Sequence, residues 1–274
     1  MTWLKDLFGT EKPIIAMAHF PPLPGSPLYD ENGGVRRLVD SVGADVERLQ
    51  KAGVDAIMFC NEGDRPYSVS AGPETVATMA FVIGNLQSAL KVPFGVDVLW
   101  DPRSAISLGT GTGARFVREV FTGVYSSDMG LWSTDCAAVL RHRRLIGGSQ
   151  LRLFYNIVPE FASDLDTRRS IEMVARSVVF SSLADALLVS GPMASAEADL
   201  EILKRVKSAV PGVPVLCNTG VRLDNVEKVL AVGDGAVVGS HFKEEGVIWN
   251  PVSESRVVTF MELVRHIREK PCTR

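Results

Sequence analysis

Eight short apolar stretches of this chain each end in residues able to do chemistry. The groups are His19; Asn61-Glu62-Gly63-Asp64; Asp97; Arg118-Glu119; Asn156; Ser190; Asn218-Thr219-Gly220; and Gly239-Ser240. Glu62, Asp64, Asp97 and Glu119, with His19, make an acid–base set that can take a proton from a substrate and return it. Asn61, Asn156 and Asn218, with Arg118 and Ser190, offer donors and acceptors to orient that substrate. The turns Thr219-Gly220 and Gly239-Ser240 lack bulk, so their backbone N–H groups can approach phosphate oxygens. Together they read as a site for proton transfer beside a carbonyl or anomeric centre of a small phosphorylated molecule. A second use of the carboxylates stays open. Hard cations take oxygen ligands, so Glu62, Asp97 and Glu119 would hold Mg²⁺ or Mn²⁺ if they converge. Crowded on neighbouring strands, these charges need either such a cation or a proton kept on one of them.

The apolar stretches themselves are strand-sized: 14–18, 56–60, 93–99, 116–120, 150–156, 186–189, 215–218 and 236–238. Helix-sized segments separate them, with apolar stripes such as Leu38, Val42, Val46 and Leu49, or Val257, Phe260, Met261, Val264 and Ile267. Alternating strands and amphipathic helices predict a parallel sheet closed as a single (β/α)₈ TIM barrel over 1–274, with 1–12 as an N-terminal extension. The chemistry-bearing residues then fall at the C-terminal strand ends, where barrel active sites are built, and the glycine turns follow strands 7 and 8, where such barrels bind phosphate. Asp97 lies between Val96 and Val98, so strand alternation points it into the barrel; of Arg118 and Glu119, one should face inward. The proline-rich segment 19–27 predicts a stiff wall beside His19. The long segment 121–130 has the size of a loop that covers a site. Gly109-Thr-Gly-Thr-Gly113 precedes a strand instead of following one, so it reads as a helix-to-strand turn and not as a nucleotide loop.

Bulk properties narrow the classes. With 274 residues, 46% hydrophobic and 22% charged, the chain can bury the core of one large barrel. A net charge of −3 gives no general attraction to nucleic acid, and the basic run 141–144 reads as a solvated helix face or a homo-oligomer contact. Cys60, Cys136, Cys217 and Cys272 are widely spaced, which fits a reducing, cytoplasmic setting and no structural zinc. Residues 1–9 mix acidic and basic side chains into a short apolar stretch, a poor signal peptide, and no apolar run reaches membrane-span length.

With these segments placed, the chain resembles the BtpA/SgcQ family over nearly its whole length. The resemblance rests on Met17-Ala-His-Phe-Pro-Pro-Leu-Pro-Gly-Ser-Pro27, Gly63-Asp64 with Pro66, Pro73-Glu-Thr-Val-Ala77, Phe121-Thr-Gly123, Val215-Leu-Cys-Asn-Thr-Gly-Val221, and Val238-Gly-Ser240 with Lys243, Gly246 and Asn250-Pro-Val252. It implies a barrel of the ribulose-phosphate-binding type. One branch of the family is associated with photosystem I biogenesis, and others accompany sugar metabolism. The sequence departs from the family pattern at Cys60-Asn-Glu-Gly-Asp64, Gly95-Val-Asp97, Arg118-Glu-Val120 and Tyr155-Asn156-Ile157. The anion-binding end is thus kept while the chemical end is altered.

Three mechanisms common on such barrels do not match the strand ends. A Schiff-base aldolase needs a strand-end lysine, and there is none. Phosphoribosylanthranilate isomerase would want a cysteine and an aspartate where His19 and Ser190 stand. Ribulose-phosphate 3-epimerase would want an aspartate where Asn218 stands. The remaining expectation is an isomerase- or lyase-like enzyme acting by acid–base proton transfer. The alternative is a non-catalytic biogenesis or stability factor for a membrane complex, which has no need of a polar, glycine-rich mouth.

Overall fold

The computed structural model describes residues 2–269; Cys272 lies outside them. Helix α1 (Thr2–Phe8) precedes β1 (Ile14–His19), α2 (Gly34–Lys51), β2 (Ala56–Cys60), α3 (Pro73–Leu86), β3 (Phe94–Asp97), α4 (Pro102–Thr112) and β4 (Phe116–Glu119). A hairpin, β5 (Val124–Ser127) and β6 (Gly130–Ser133), leads to α5 (Cys136–Leu145), β7 (Arg152–Val158), β8 (Ala162–Asp164) and α6 (Ile171–Ser182). The chain ends with β9 (Ala186–Val189), α7 (Leu200–Ala209), β10 (Val215–Cys217), α8 (Val226–Val232), β11 (Ala236–Val238) and α9 (Glu254–Glu269). Eight strands close into a parallel barrel in the order β1-β11-β10-β9-β7-β4-β3-β2. This is the (β/α)₈ barrel expected from the alternation of apolar runs.

Strand alternation divides the core in two. Outward residues of the strands pack with the helix stripes, Leu38, Val42, Val46 and Leu49 of α2 among them. Inward residues such as Ile15, Met17, Met58, Phe116, Phe154, Leu188 and Leu216 fill the barrel itself. Because both faces of each strand are covered, the strands read as continuous apolar runs. Helix α1 plugs the N-terminal end: Phe8 sits edge-on to Phe116 and Phe154, with ring centroids 5.5 and 6.3 Å away. The N-terminal extension is therefore part of the barrel's packing. Aspartate caps start several helices, as where Asp101 Oδ1 accepts from the N–H groups of Arg103 and Ser104, both at 3.0 Å.

Two local expectations change. Gly109-Thr-Gly-Thr-Gly113 is the last turn of α4, and only Gly113, left-handed at φ 75, forms the turn into β4. The segment after β4 is more than a loop. Strands β6, β5 and β8 form a small antiparallel sheet that drops Trp132 onto Trp100 over the mouth, ring centroids 5.2 Å apart.

Candidate active site

The C-terminal layer of the barrel is polar and nearly dry. Arg118 enters from β4, only 5% exposed, and is ion-paired with Asp97 of β3. Its Nη1 donates to Asn218 Oδ1 at 2.9 Å and lies 4.0 Å from Glu160 Oε1. Asn218 Nδ2 donates to Glu160 Oε1 at 3.0 Å and to Ser190 Oγ at 2.8 Å. Asn156 Nδ2 donates to Glu160 Oε2 at 2.8 Å, and Ser190 Oγ donates to Asn156 Oδ1 at 3.2 Å. Five strand ends are thereby tied into one hydrogen-bonded frame around a single guanidinium. Glu160, two residues beyond β7, is central to it and has no signal in the sequence pattern.

Above this frame, a small cavity is lined by His19, Glu62, Trp100, Arg118, Glu160, Asn218, Thr219, Gly220, Gly239 and Ser240. His19, Glu62 and the two glycine turns therefore face the same space. His19 Nε2 lies 3.9 Å from Glu62 Oε2, and Glu62 Oε1 accepts from the Tyr67 hydroxyl at 2.8 Å. Gly220 is left-handed at φ 65, and a Cβ there would fall on the backbone of Ala196 and Glu197. A Cβ on Gly239 would stand 3.1 Å from His19 Cε1, inside the cavity. The N–H groups of Gly220, Val221, Ser240 and His241 make no backbone hydrogen bond among the described residues, so they remain available to an acceptor.

Other candidates sit below or beside the cavity. Asp64 Oδ1 accepts from Leu23 N–H at 2.7 Å and Oδ2 from Asn61 Nδ2 at 3.3 Å, so it pins the proline loop to β2. Asn61 Oδ1 accepts from Leu99 N–H at 2.8 Å and joins the ends of β2 and β3. Asp97, Asn156 and Ser190 act through Arg118, Glu160 and Asn218. Glu119, on the opposite parity to Arg118, is buried with Oε2 accepting from Val120 N–H at 2.8 Å. Among the described residues no three His, Cys, Asp or Glu side chains converge to hold a metal ion. The expected set of Glu62, Asp97 and Glu119 is therefore not assembled, because Arg118 takes Asp97 and supplies the neutralising charge.

Electrostatics follow from burial. Desolvation pushes the Glu62 carboxyl up, opposed by the Tyr67 hydrogen bond and the Arg118 charge. It also raises Glu160 against Arg118. Glu119 is driven well above the usual carboxylate range by burial and then by the charge of the neighbouring Asp97 carboxylate. Asp97 Oδ1 and Glu119 Oε1 otherwise have no donor, so a proton on Glu119 resolves the contact. His19 is held well below its ordinary value, first by burial and then by the charges of Lys243 and Arg118. It is a neutral imidazole at pH 7. Burial opposes the charge on Arg118, but Asp97 and Glu160 outweigh it and keep the guanidinium protonated.

Fold and site define a TIM barrel with a charged, hydrogen-bonded mouth and two glycine turns beside it. The chain belongs to the BtpA family, whose model matches residues 10–266. It is 48% identical to the sgc region protein SgcQ of Escherichia coli over 98% of this chain and all of that protein. It is 28% identical to the photosystem I biogenesis protein BtpA of Synechocystis, covering 98% of this chain and 93% of that one. Phosphoribosyl anthranilate isomerase from Thermus thermophilus shares the fold, with a TM-score of 0.56 at 14% identity over 93% of this chain and 99% of that one. No helix among the described residues is long and apolar enough to cross a membrane.

Proposed function

We propose that this protein is an enzyme that binds a small phosphorylated metabolite and moves a proton next to its carbonyl or anomeric carbon, an isomerase- or lyase-like reaction. The observation that carries this reading is that the glycine turns at Gly220 and Gly239-Ser240 and the pair His19–Glu62 line one cavity. The phosphate lies against the free N–H groups of the turns. Glu62, its pKa raised by burial, is the base, and the Tyr67 hydroxyl orients it. Neutral His19 hydrogen-bonds the substrate oxygen on which charge develops, while Arg118 supplies the positive field beneath it. His19 Nδ1 and Trp100 Nε1 are buried without hydrogen-bond partners among the described residues. Such groups are costly unless a ligand uses them.

A thermal-shift screen of inorganic phosphate and phosphorylated sugars and nucleotides tests the reading. A compound at 100 times its Kd should add about 2.7 kcal/mol of apparent stability. If no phosphorylated compound shifts the melting curve, the phosphate site is lost and the enzyme reading with it. The second reading, a non-catalytic stability factor for a membrane complex, draws on the Synechocystis relative, a photosystem I biogenesis protein. It predicts ligand-free stability and no turnover.

A further inference from the structure

A larger cavity of about 660 Å³ lies beside the barrel mouth. Its walls are the proline loop after β1, one face of α2 and the segment 248–251. His19 and Ile248 line both cavities, so the side cavity adjoins the mouth. The volume lies within about 300–1,000 Å³, the usual size of small-molecule sites.

Four cations face this space: Arg37, Arg48, Arg65 and Lys243. Three are already paired with carboxylates, two of them sharing Asp45. Arg37 pairs with Asp30, Arg48 Nη1 lies 3.5 Å from Asp45 Oδ1, and Lys243 Nζ lies 2.6 Å from Asp45 Oδ2. Arg65 has no carboxylate partner among the described residues, and its Nε is buried with no hydrogen bond. Its guanidinium carbon stands 3.7 Å from the ring centroid of Trp249, an indole that is 48% exposed. A guanidinium resting on an indole keeps its outer face and its N–H edge free. A planar heterocycle can use both, stacking on the face while its ring nitrogens or carbonyls accept from the edge. A saturated sugar can take the N–H edge through its hydroxyls but has no planar face to stack on the guanidinium.

We infer that the side cavity receives the nucleobase of a nucleoside phosphate, with Arg65 and Trp249 as its platform and the phosphate at the glycine turns. This inference rests on the phosphate site proposed above and specifies the substrate class for it. Calorimetric titration with adenosine 5′-monophosphate, adenosine and ribose 5-phosphate, alongside Trp249 fluorescence, tests it. The nucleotide should bind about tenfold or more tightly than ribose 5-phosphate, the scale of one stacked base. Arg65→Ala and Trp249→Ala should each erase that advantage, leave ribose 5-phosphate affinity unchanged and leave the melting temperature intact. Gly239→Ala should weaken both phosphorylated ligands. Equal binding of the nucleotide and ribose 5-phosphate, or an advantage that survives both platform variants, overturns the nucleobase site while the phosphate site stands. Adenosine that binds through Arg65 and Trp249 while ribose 5-phosphate does not bind overturns the phosphate site instead. Binding by none of the three overturns both.

Discussion

Replacing Arg118 with Met keeps much of the side chain's volume but removes the charge around which the mouth is built. Asp97 then loses its ion pair, Glu160 its nearest cation and Asn218 Oδ1 its donor. Breaking a buried pair by deleting one partner costs about 3–5 kcal/mol. The loss has a ceiling, because a stranded carboxylate can take up a proton. For an ordinary glutamate at pH 7 that costs about 1.4 kcal/mol per pH unit above its pKa, or about 4 kcal/mol. The two estimates coincide near about 4 kcal/mol. In a large domain each 1 kcal/mol moves Tm by about 2–4 °C, so Arg118→Met should melt about 8–16 °C lower at neutral pH. The pH dependence fixes the mechanism. Burial already raises the Glu160 carboxyl against the pull of Arg118, and removing that pull raises it further. A carboxyl with a raised folded pKa stabilises fully below its unfolded pKa and loses that contribution as pH climbs through the folded value. The deficit should therefore be largest at about pH 7–8 and shrink to about 2 kcal/mol near pH 5.5. Urea denaturation of both proteins across this range, followed by circular dichroism, measures it. A deficit below about 1 kcal/mol at neutral pH, or one that grows on acidification, refutes the idea that Arg118 compensates buried carboxylates.

Three further outcomes follow from the same geometry. Gly239→Ala should weaken phosphate-ester binding about tenfold or more with little change in Tm, since its Cβ would press on His19; unchanged affinity in a titration removes the anion from that turn. Glu119→Gln should stabilise the protein, and by more as pH rises from the usual carboxyl pKa, about 4.3, toward the raised folded value, because the variant removes a group that ionises only on unfolding. A Glu119→Gln protein that is less stable at pH 7 than at pH 5, relative to the parent, would show that Glu119 is ionised in the fold. Once a substrate is found, kcat/KM should rise with pH through the raised Glu62 pKa and show no second step near the ordinary histidine value. Glu62→Gln should flatten that rise; a rise that persists assigns the base elsewhere.

What was legible in the sequence is what obeys a period. Val96-Asp97-Val98 announces an inward carboxylate because strand side chains alternate, and Ala56–Cys60, Ala186–Val189 and Ala236–Val238 are visible as strands because both faces are buried. What was not legible depends on contacts between strands. Which residue neutralises Asp97 is decided by the pairing of Gly95 with Phe116 and Val96 with Val117, which sets Arg118 beside it. No local pattern encodes that register, so from the sequence the crowded carboxylates called for either a cation or a retained proton, and the arginine was not foreseen as their partner. Glu160 was hidden for a similar reason. Strand β7 runs on to Val158, with an irregular step between Asn156 and Val158, and this carries Glu160 back over the mouth. The frame also changes how the departures from the family resemblance should be weighed. Asp97 and Arg118 touch each other, Glu119 lies within the field of Asp97, and Asn156 reaches Arg118 through Glu160 and Asn218. Decay would strand charges one at a time, at several kcal/mol for each buried ion left unpaired. Here Asp97, Arg118 and Asn156 are held in one frame beneath His19, Glu62 and the glycine turns. A buried charge set that closes on itself in this way is not what piecemeal loss of a site would leave.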